Sequence, residues 1–341
     1  MKPLLKGAVL VASVIVLATF AFMWRVCNFL DAPVTIGADG FILEVEPGAA
    51  FGVVSKRLGE QGILAHPDWL RWYARFTGEA SDIKAGEYKI SPGSTPRNIL
   101  TQLVIGNVVQ YAFTIVEGWT FKDLMVALAR DPYIKHTVTR QDWPKIAETL
   151  GISEAHPEGL FLPETYHFTK LSRDIDVLGQ AYRLLQSVLN EEWQNRDPSL
   201  PLKDPYDALI LGSIVEKETA LAEERSRISG VFIRRLQKGM RLQTDPTVIY
   251  GLGDAFDGNL KSSHMKADTP YNTYRRAGLP PTPIALAGHA AIRAAVHPDP
   301  GTELYFVASP RLDGSHQFST TKEEHDAAVA AYWAARSAKK H

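Results

Sequence analysis

The chain has 341 residues, 45% hydrophobic and 22% charged, with a formal net charge of −1. That length supports two or more domains with cores of their own. The near-neutral balance argues against a nucleic-acid partner, which calls for concentrated basic charge. A single cysteine, Cys27, excludes an intrachain disulfide or a multi-cysteine metal site.

The first predicted element runs from Gly7 to Trp24 without one charged residue. Eighteen residues at 1.5 Å each make about 27 Å, close to the hydrocarbon thickness of a bilayer. Lys2, Lys6 and the amino terminus outweigh Arg25, so the positive-inside rule places residues 1–6 in the cytoplasm. A cleaved signal peptide would carry a shorter apolar core and an A-x-A site behind it. The expectation is an uncleaved single-pass anchor at 7–24 in the inner (cytoplasmic) membrane. A spacer at 25–40 follows, and the body of the chain is periplasmic or otherwise extracytoplasmic.

Phe41 to Glu46 alternates like a strand and stops at Pro47-Gly48. Phe51, Val54 and Leu58 then recur at helical spacing up to Gly62, and a second helix spans His66 to Thr77. Gly86 to Ile90 reads as a strand, and Ser94-Thr-Pro96 opens a helix through Leu103. The order strand, helix, helix, strand resembles a LysM-type carbohydrate-binding module over 41–107. A small α+β spacer without a ligand has the same pattern.

Residues 108–341 show no linker and read as one larger α+β domain. A strand at 108–116 precedes a helix capped by Thr120 and running to Ala129. The segment 157–168 is irregular and proline-bounded, and an amphipathic helix covers Asp174 to Arg196. Further helices are expected over Leu209–Arg225 and Ile228–Lys238. A short one follows, capped by Thr244 or Asp245, with Pro246 first and Gly251 as its stop.

Glu216 closes the apolar run Leu209–Val215, where desolvation raises a carboxyl pKa and suits it to acid catalysis. The plain alternative is an edge carboxylate paired with Lys217 or Lys238. Glu218 lies about 200° further round the helix. The two should therefore not share one site unless the helix ends there; Glu218 is a possible second acid, with a structural hydrogen bond or ion pair as its plain alternative. Hydroxyls and amides beside aromatics also describe a sugar groove. Gln243, Thr244 and Asp245 are its first candidates, then Tyr271, Asn272 and Tyr274, each with a capping or loop-fastening alternative. Glu164 and Tyr166 in the aromatic loop, and His316 near the terminal strand, are further candidates for orienting a substrate.

Several phrases stand in a telling order. They are Glu158-Gly-Leu-Phe-Leu-Pro-Glu-Thr-Tyr166, Ser213-Ile-Val-Glu-Lys-Glu-Thr219 and Met240-Arg-Leu-Gln-Thr-Asp-Pro-Thr-Val-Ile-Tyr250. Tyr271-Asn-Thr-Tyr274, Gly278-Leu-Pro-Pro281, His297-Pro298, Tyr305-Phe-Val307 and His316 with Phe318 complete the set. Over 108–330 the chain resembles the endolytic murein transglycosylases, the MltG-like or YceG-like family. The resemblance implies that the glycan strand of peptidoglycan is the substrate. It further implies cleavage at a MurNAc–GlcNAc bond within the strand, leaving a 1,6-anhydro-MurNAc end, with Glu216 as the catalytic glutamate.

One carboxyl can suffice for that chemistry. The sugar's own 6-hydroxyl attacks, at an effective concentration of about 10⁵ M or more. The same group protonates the leaving oxygen and later takes the hydroxyl proton. No cofactor or metal is called for, and no H-E-x-x-H, phosphate-loop or G-x-S-x-G pattern occurs. Expected partners are glycan strands, the bilayer and wall synthases near it. The rival readings are a hydrolytic muramidase using Glu164 as second acid, and a non-catalytic wall-binding scaffold.

Overall fold

The computed structural model describes residues 2–154 and 156–339. Ala155, Met1 and the last two positions of the 108–341 span lie outside the described residues. The apolar N-terminal run forms α1 (Lys2–Asp31), of which Lys6–Asp31 is long and apolar enough to cross a membrane. The helix does not stop at Trp24. Val26, Phe29 and Leu30 recur at helical spacing and pack into a core, and Leu30 is only 1% exposed. The expected spacer is therefore helical through Asp31, because its apolar residues find somewhere to be buried.

The chain divides into two compact units, Met1–Tyr111 with Thr169–Leu171, and Ala112–Phe168 with Ser172–His341. In the first, β1 (Phe41–Val45), α2 (Phe51–Glu60), α3 (Pro67–Thr77), β2 (Gly86–Ile90) and α4 (Pro96–Ile105) follow one another. β1 and β2 pair antiparallel, with Leu43 opposite Tyr88, both fully buried. Pro67 suits the first turn of α3, where a missing N–H costs nothing. Thr95 caps α4 through the Asn98 amide, a feature contributing about 1 kcal/mol.

The second unit continues with β3 (Tyr111–Thr114), α5 (Phe121–Leu128), α6 (Ile146–Thr149), β4 (Thr165–Phe168) and α7 (Asp174–Gln194). Then come α8 (Pro205–Glu218), α9 (Arg225–Gln237), α10 (Asp245–Leu252), α11 (Ser262–Lys266) and α12 (His289–Val296). β5 (Tyr305–Ala308), β6 (His316–Ser319) and α13 (Lys322–Ala338) close the chain. β3 pairs with β4, and β5 pairs antiparallel with β6, so the sheets are two-stranded and the helices carry the core.

α8 is the central element. Asp204 caps it by accepting the Asp207 N–H at 2.9 Å, and Pro205 takes the first turn. Every residue from Ala208 to Val215 is buried, as in a helix covered on all sides. Gly212 permits close packing, since a Cβ there would lie 3.2 Å from the Ile292 Cα of α12. The helix ends at Glu218 because Thr219 turns to extended backbone, φ −145° and ψ 137°. It is thus shorter at its end than the expected Leu209–Arg225 and begins four residues earlier.

Candidate active site

The end of α8 feeds two carboxyls into different surroundings. Glu216 has a side chain only 7% exposed. Its Oε2 accepts the Gly288 N–H at 3.1 Å, at the N-terminus of α12. Arg225 bridges it to Glu117, with Nη2 3.7 Å from Glu216 Oε1 and 3.6 Å from Glu117 Oε2. Its ion-pair partner is Arg225, and the charge of Lys217 also acts on it. Burial pushes the carboxyl up, and Glu117 adds to this, while the Gly288 N–H and Arg225 oppose it.

Glu218, the last residue of α8, meets other surroundings, as its position about 200° round the helix from Glu216 requires. It is enclosed by protein but keeps partial contact with solvent. Burial pushes its carboxyl up to about 7; the Thr244 hydroxyl, His316 and Arg235 pull the other way, and Asp245 adds to the rise. A carboxyl still half protonated near neutrality is poised to give up a proton.

Thr244 explains part of that setting. It stands at the N-cap of α10 yet makes no side-chain cap bond. Its hydroxyl instead donates to Glu218 Oε1. Behind it, the Thr244 N–H donates to Thr273 Oγ1 at 3.1 Å and Thr247 donates to the Thr244 carbonyl at 2.8 Å. Gln243 precedes it at φ 52°, a left-handed conformation held by its N–H bond to the Thr273 carbonyl at 3.2 Å. Strain of that kind, about 1–3 kcal/mol, persists where the surroundings fix it. The Gln243 side chain is exposed. Asp245 receives the Tyr274 hydroxyl at 2.6 Å.

Arg235, 6% exposed, ties the walls together. Its Nε donates to the Leu304 carbonyl at 2.7 Å, beside β5, and its Nη1 to the Leu242 carbonyl at 2.6 Å, beside Thr244. His316 opens β6 and donates its N–H to Glu224 Oε1 at 2.8 Å, with Nδ1 2.7 Å from Oε2. The fold thus brings Glu218, Thr244, Asp245, Tyr274 and His316 to one place, and sequence reasoning missed Arg235 and Glu224 beside them. Arg235 carries no local signal, because its role is to join segments far apart in the chain.

The remaining candidates lie elsewhere. Glu164 is exposed and accepts the N–H of its neighbour Thr165 at 2.8 Å. Tyr166 is 5% exposed and donates its hydroxyl to the Leu162 carbonyl at 2.7 Å, fastening its own turn. Asn272 is 1% exposed; its amide donates to the His264, Met265 and Ala267 carbonyls, and its oxygen accepts the Tyr274 N–H at 2.9 Å. Both side chains thus fasten the backbone around them.

Tyr271 belongs to a second carboxyl cluster. Its hydroxyl meets Thr282 at 2.8 Å and its ring stands edge-on to Tyr250 at 4.9 Å. Tyr250 donates to Glu158 Oε2 at 3.1 Å, and Glu158 Oε1 accepts the Phe121 N–H at 2.8 Å. Burial pushes Glu158 up to about 7. A raised folded-state pKa contributes stability present below the unfolded value near 4.5 and lost as pH rises through about 7. The Glu158→Gln variant keeps an acceptor for Phe121 without the charge. Its stability should fall less steeply from pH 5 to 8 than that of the wild type, the difference reaching roughly 3 kcal/mol at most, because Glu218 still titrates in that window. Urea midpoints against pH check this; parallel curves would sink it.

The structure is that of a two-unit α+β protein with a carboxyl, Glu218, pushed up to about 7. The chain belongs to the YceG-like family, whose model matches residues 43–331. It is similar to the endolytic murein transglycosylase of Bacillus subtilis (strain 168), 28% identical over 320 residues, covering 87% of this chain and 86% of that protein. It is also similar to the endolytic murein transglycosylase of Streptococcus pneumoniae (strain D39), 25% identical over 321 residues, covering 84% of this chain and 57% of the other. The crystal structure of a YceG-like protein from Listeria monocytogenes matches with a TM-score of 0.52 at 26% identity, over 85% of this chain and 99% of that one.

Proposed function

We propose that the protein is an endolytic murein transglycosylase that cuts peptidoglycan glycan strands between MurNAc and GlcNAc, leaving 1,6-anhydro-MurNAc ends. The observation that carries the mechanism is the Glu218 carboxyl, protonatable near pH 7 and reachable from solvent beside Thr244. The acid is therefore assigned to Glu218, and Glu216 becomes a fixing group for the end of α8 through Arg225 and Gly288. Glu218 protonates the bridging oxygen, and the 6-hydroxyl of the sugar closes on its own anomeric carbon. Asp245, Tyr274 and the exposed Gln243 line the approach.

α1 is assigned as a single-pass anchor with residues 1–6 in the cytoplasm and the rest of the chain outside the inner membrane. The β1-α2-α3-β2 order of the first unit supports a LysM-like glycan-binding role. A cleft of about 360 Å³ between the loop after β1 and the loop before β2, including Gly48, Ala50, Ser81 and Ile83, suits it. Anchoring beside the membrane places the cutter near nascent strands and the synthases that make them.

A hydrolytic muramidase remains the second reading, because Asp245 puts another carboxylate close to Glu218. Mass spectrometry of products from purified glycan strands separates the two. Ends one water lighter, absent with Glu218→Gln, support transglycosylation; free reducing ends mean hydrolysis.

A further inference from the structure

We propose that His316, held by Glu224, is a second catalytic residue of this crevice, its ring Nε2 taking the proton of the attacking sugar hydroxyl. The proposal rests on the reading of Glu218 as the acid and deepens it.

The geometry is that of an oriented base. One carboxylate holds the residue twice, through the backbone N–H at 2.8 Å and Nδ1 at 2.7 Å. A carboxylate only accepts, so Nδ1 carries a proton; in the Nδ1–H tautomer the lone pair lies at Nε2. Nε2 has no hydrogen-bond partner among the described residues, and the side chain keeps 14% exposure. The ring plane is fixed by Phe306 of β5, edge-on at 5.5 Å and 88°. A histidine buried for packing alone would not need a bidentate carboxylate and an open nitrogen.

The same fold brings His316 within electrostatic reach of Glu218. Arg235 pins the start of β5 and the turn before Thr244 to α9. β6 pairs with β5 through His316 and Ala308. Thr244 and His316 thereby become two walls around the end of α8, and both act on the Glu218 carboxyl. The charged groups around the pair are Glu224 before α9, Arg235 of α9 and Asp245 of α10. Arg227 lies over Phe318 of the same strand.

The step balances without an added reactant. The bond from the anomeric carbon to the bridging oxygen breaks while the bond to O6 forms. Glu218 gives its proton to the bridging oxygen, and His316 Nε2 receives the proton of O6. Solvent then carries that proton from the imidazolium back to the Glu218 carboxylate, and no water is consumed. Two groups with opposite protonation needs divide the work that one carboxyl would otherwise do in sequence.

The test is the pH dependence of kcat and KM for the full-length protein on uncrosslinked glycan strands. Wild type, His316→Gln, Glu224→Gln and Glu218→Gln are compared. His316→Gln should lower kcat about 10²-fold with KM little changed, and the rising acid-side limb should vanish. Glu224→Gln should keep that limb but move it to lower pH, because the imidazole loses its anionic partner. A His316→Gln protein with wild-type kcat, or with the limb intact, overturns the proposal. If that variant does not fold, an unmoved limb in Glu224→Gln overturns it instead. Activity surviving in Glu218→Gln would sink the underlying reading, whereas a dead Glu218→Gln beside a fully active His316→Gln sinks this inference alone.

Discussion

Glu218→Gln is expected to lower turnover of glycan strands by about 10³-fold while leaving strand binding in place. The amide keeps the volume and can still accept the Thr244 hydroxyl, so the loss isolates the proton. Glu216→Gln should cost far less, since its amide oxygen can still accept the Gly288 N–H. What it loses is the charge facing Arg225, which loosens the end of α8 without removing the acid. The pH profile gives an independent check. Glu218 is pushed up to about 7 and acts when protonated, so activity should fall about tenfold per unit above that value. Thr244→Val should move the falling limb to higher pH, because the Thr244 bond favours the carboxylate and its loss favours the acid. A folded but dead Glu216→Gln beside an active Glu218→Gln would return the acid to Glu216.

The apolar run of α8 and the Thr120 cap of α5 were legible because both signals are local. Thr120 bonds the Asp123 N–H, as its position predicts. The end of α8 was not legible, since Thr219 to Arg225 contains neither glycine nor proline to mark the stop. Glu218 faces away from Glu216, as the helical spacing predicts, but its partner Thr244 lies 26 positions along the chain and could not be read from the helix alone. Glu216 stood out because its flank is apolar; its carboxyl meets the Gly288 N–H and Arg225. β6 pairs with β5 across a turn that contains Pro310 and Asp313-Gly314, local turn signals from which the hairpin was legible. Tyr166 and Asn272 looked like sugar-binding groups by type, yet their polar atoms serve the backbone around them.

Gly159→Ala should destabilise the second unit by about 2–5 kcal/mol, the largest effect of any single methyl group considered. Gly159 has φ 79°, where an alanine costs about 1–2 kcal/mol. Its Cβ would also lie 2.3 Å from the Cβ and 2.6 Å from the Cγ of Pro283. A proline ring cannot rotate away, so the backbone must move, at about 1–3 kcal/mol for overpacking. The displaced segment matters to the site. Ile284, next to Pro283, donates its N–H to Ser213 Oγ on α8 at 3.0 Å, and Leu286 donates to the Trp119 carbonyl at 2.7 Å. Shifting Pro283 therefore disturbs the helix that carries Glu218, and activity should fall together with stability. Gly151→Ala separates the two causes, because Gly151 has φ 68° but open space where its Cβ would go. It should show only the backbone cost, a thermal midpoint lowered by about 2–8 °C, against about 4–20 °C for Gly159→Ala. Equal losses in the two variants would mean that Pro283 yields, and that the contact between the Glu158 segment and the Pro283 loop does not hold α8 in place.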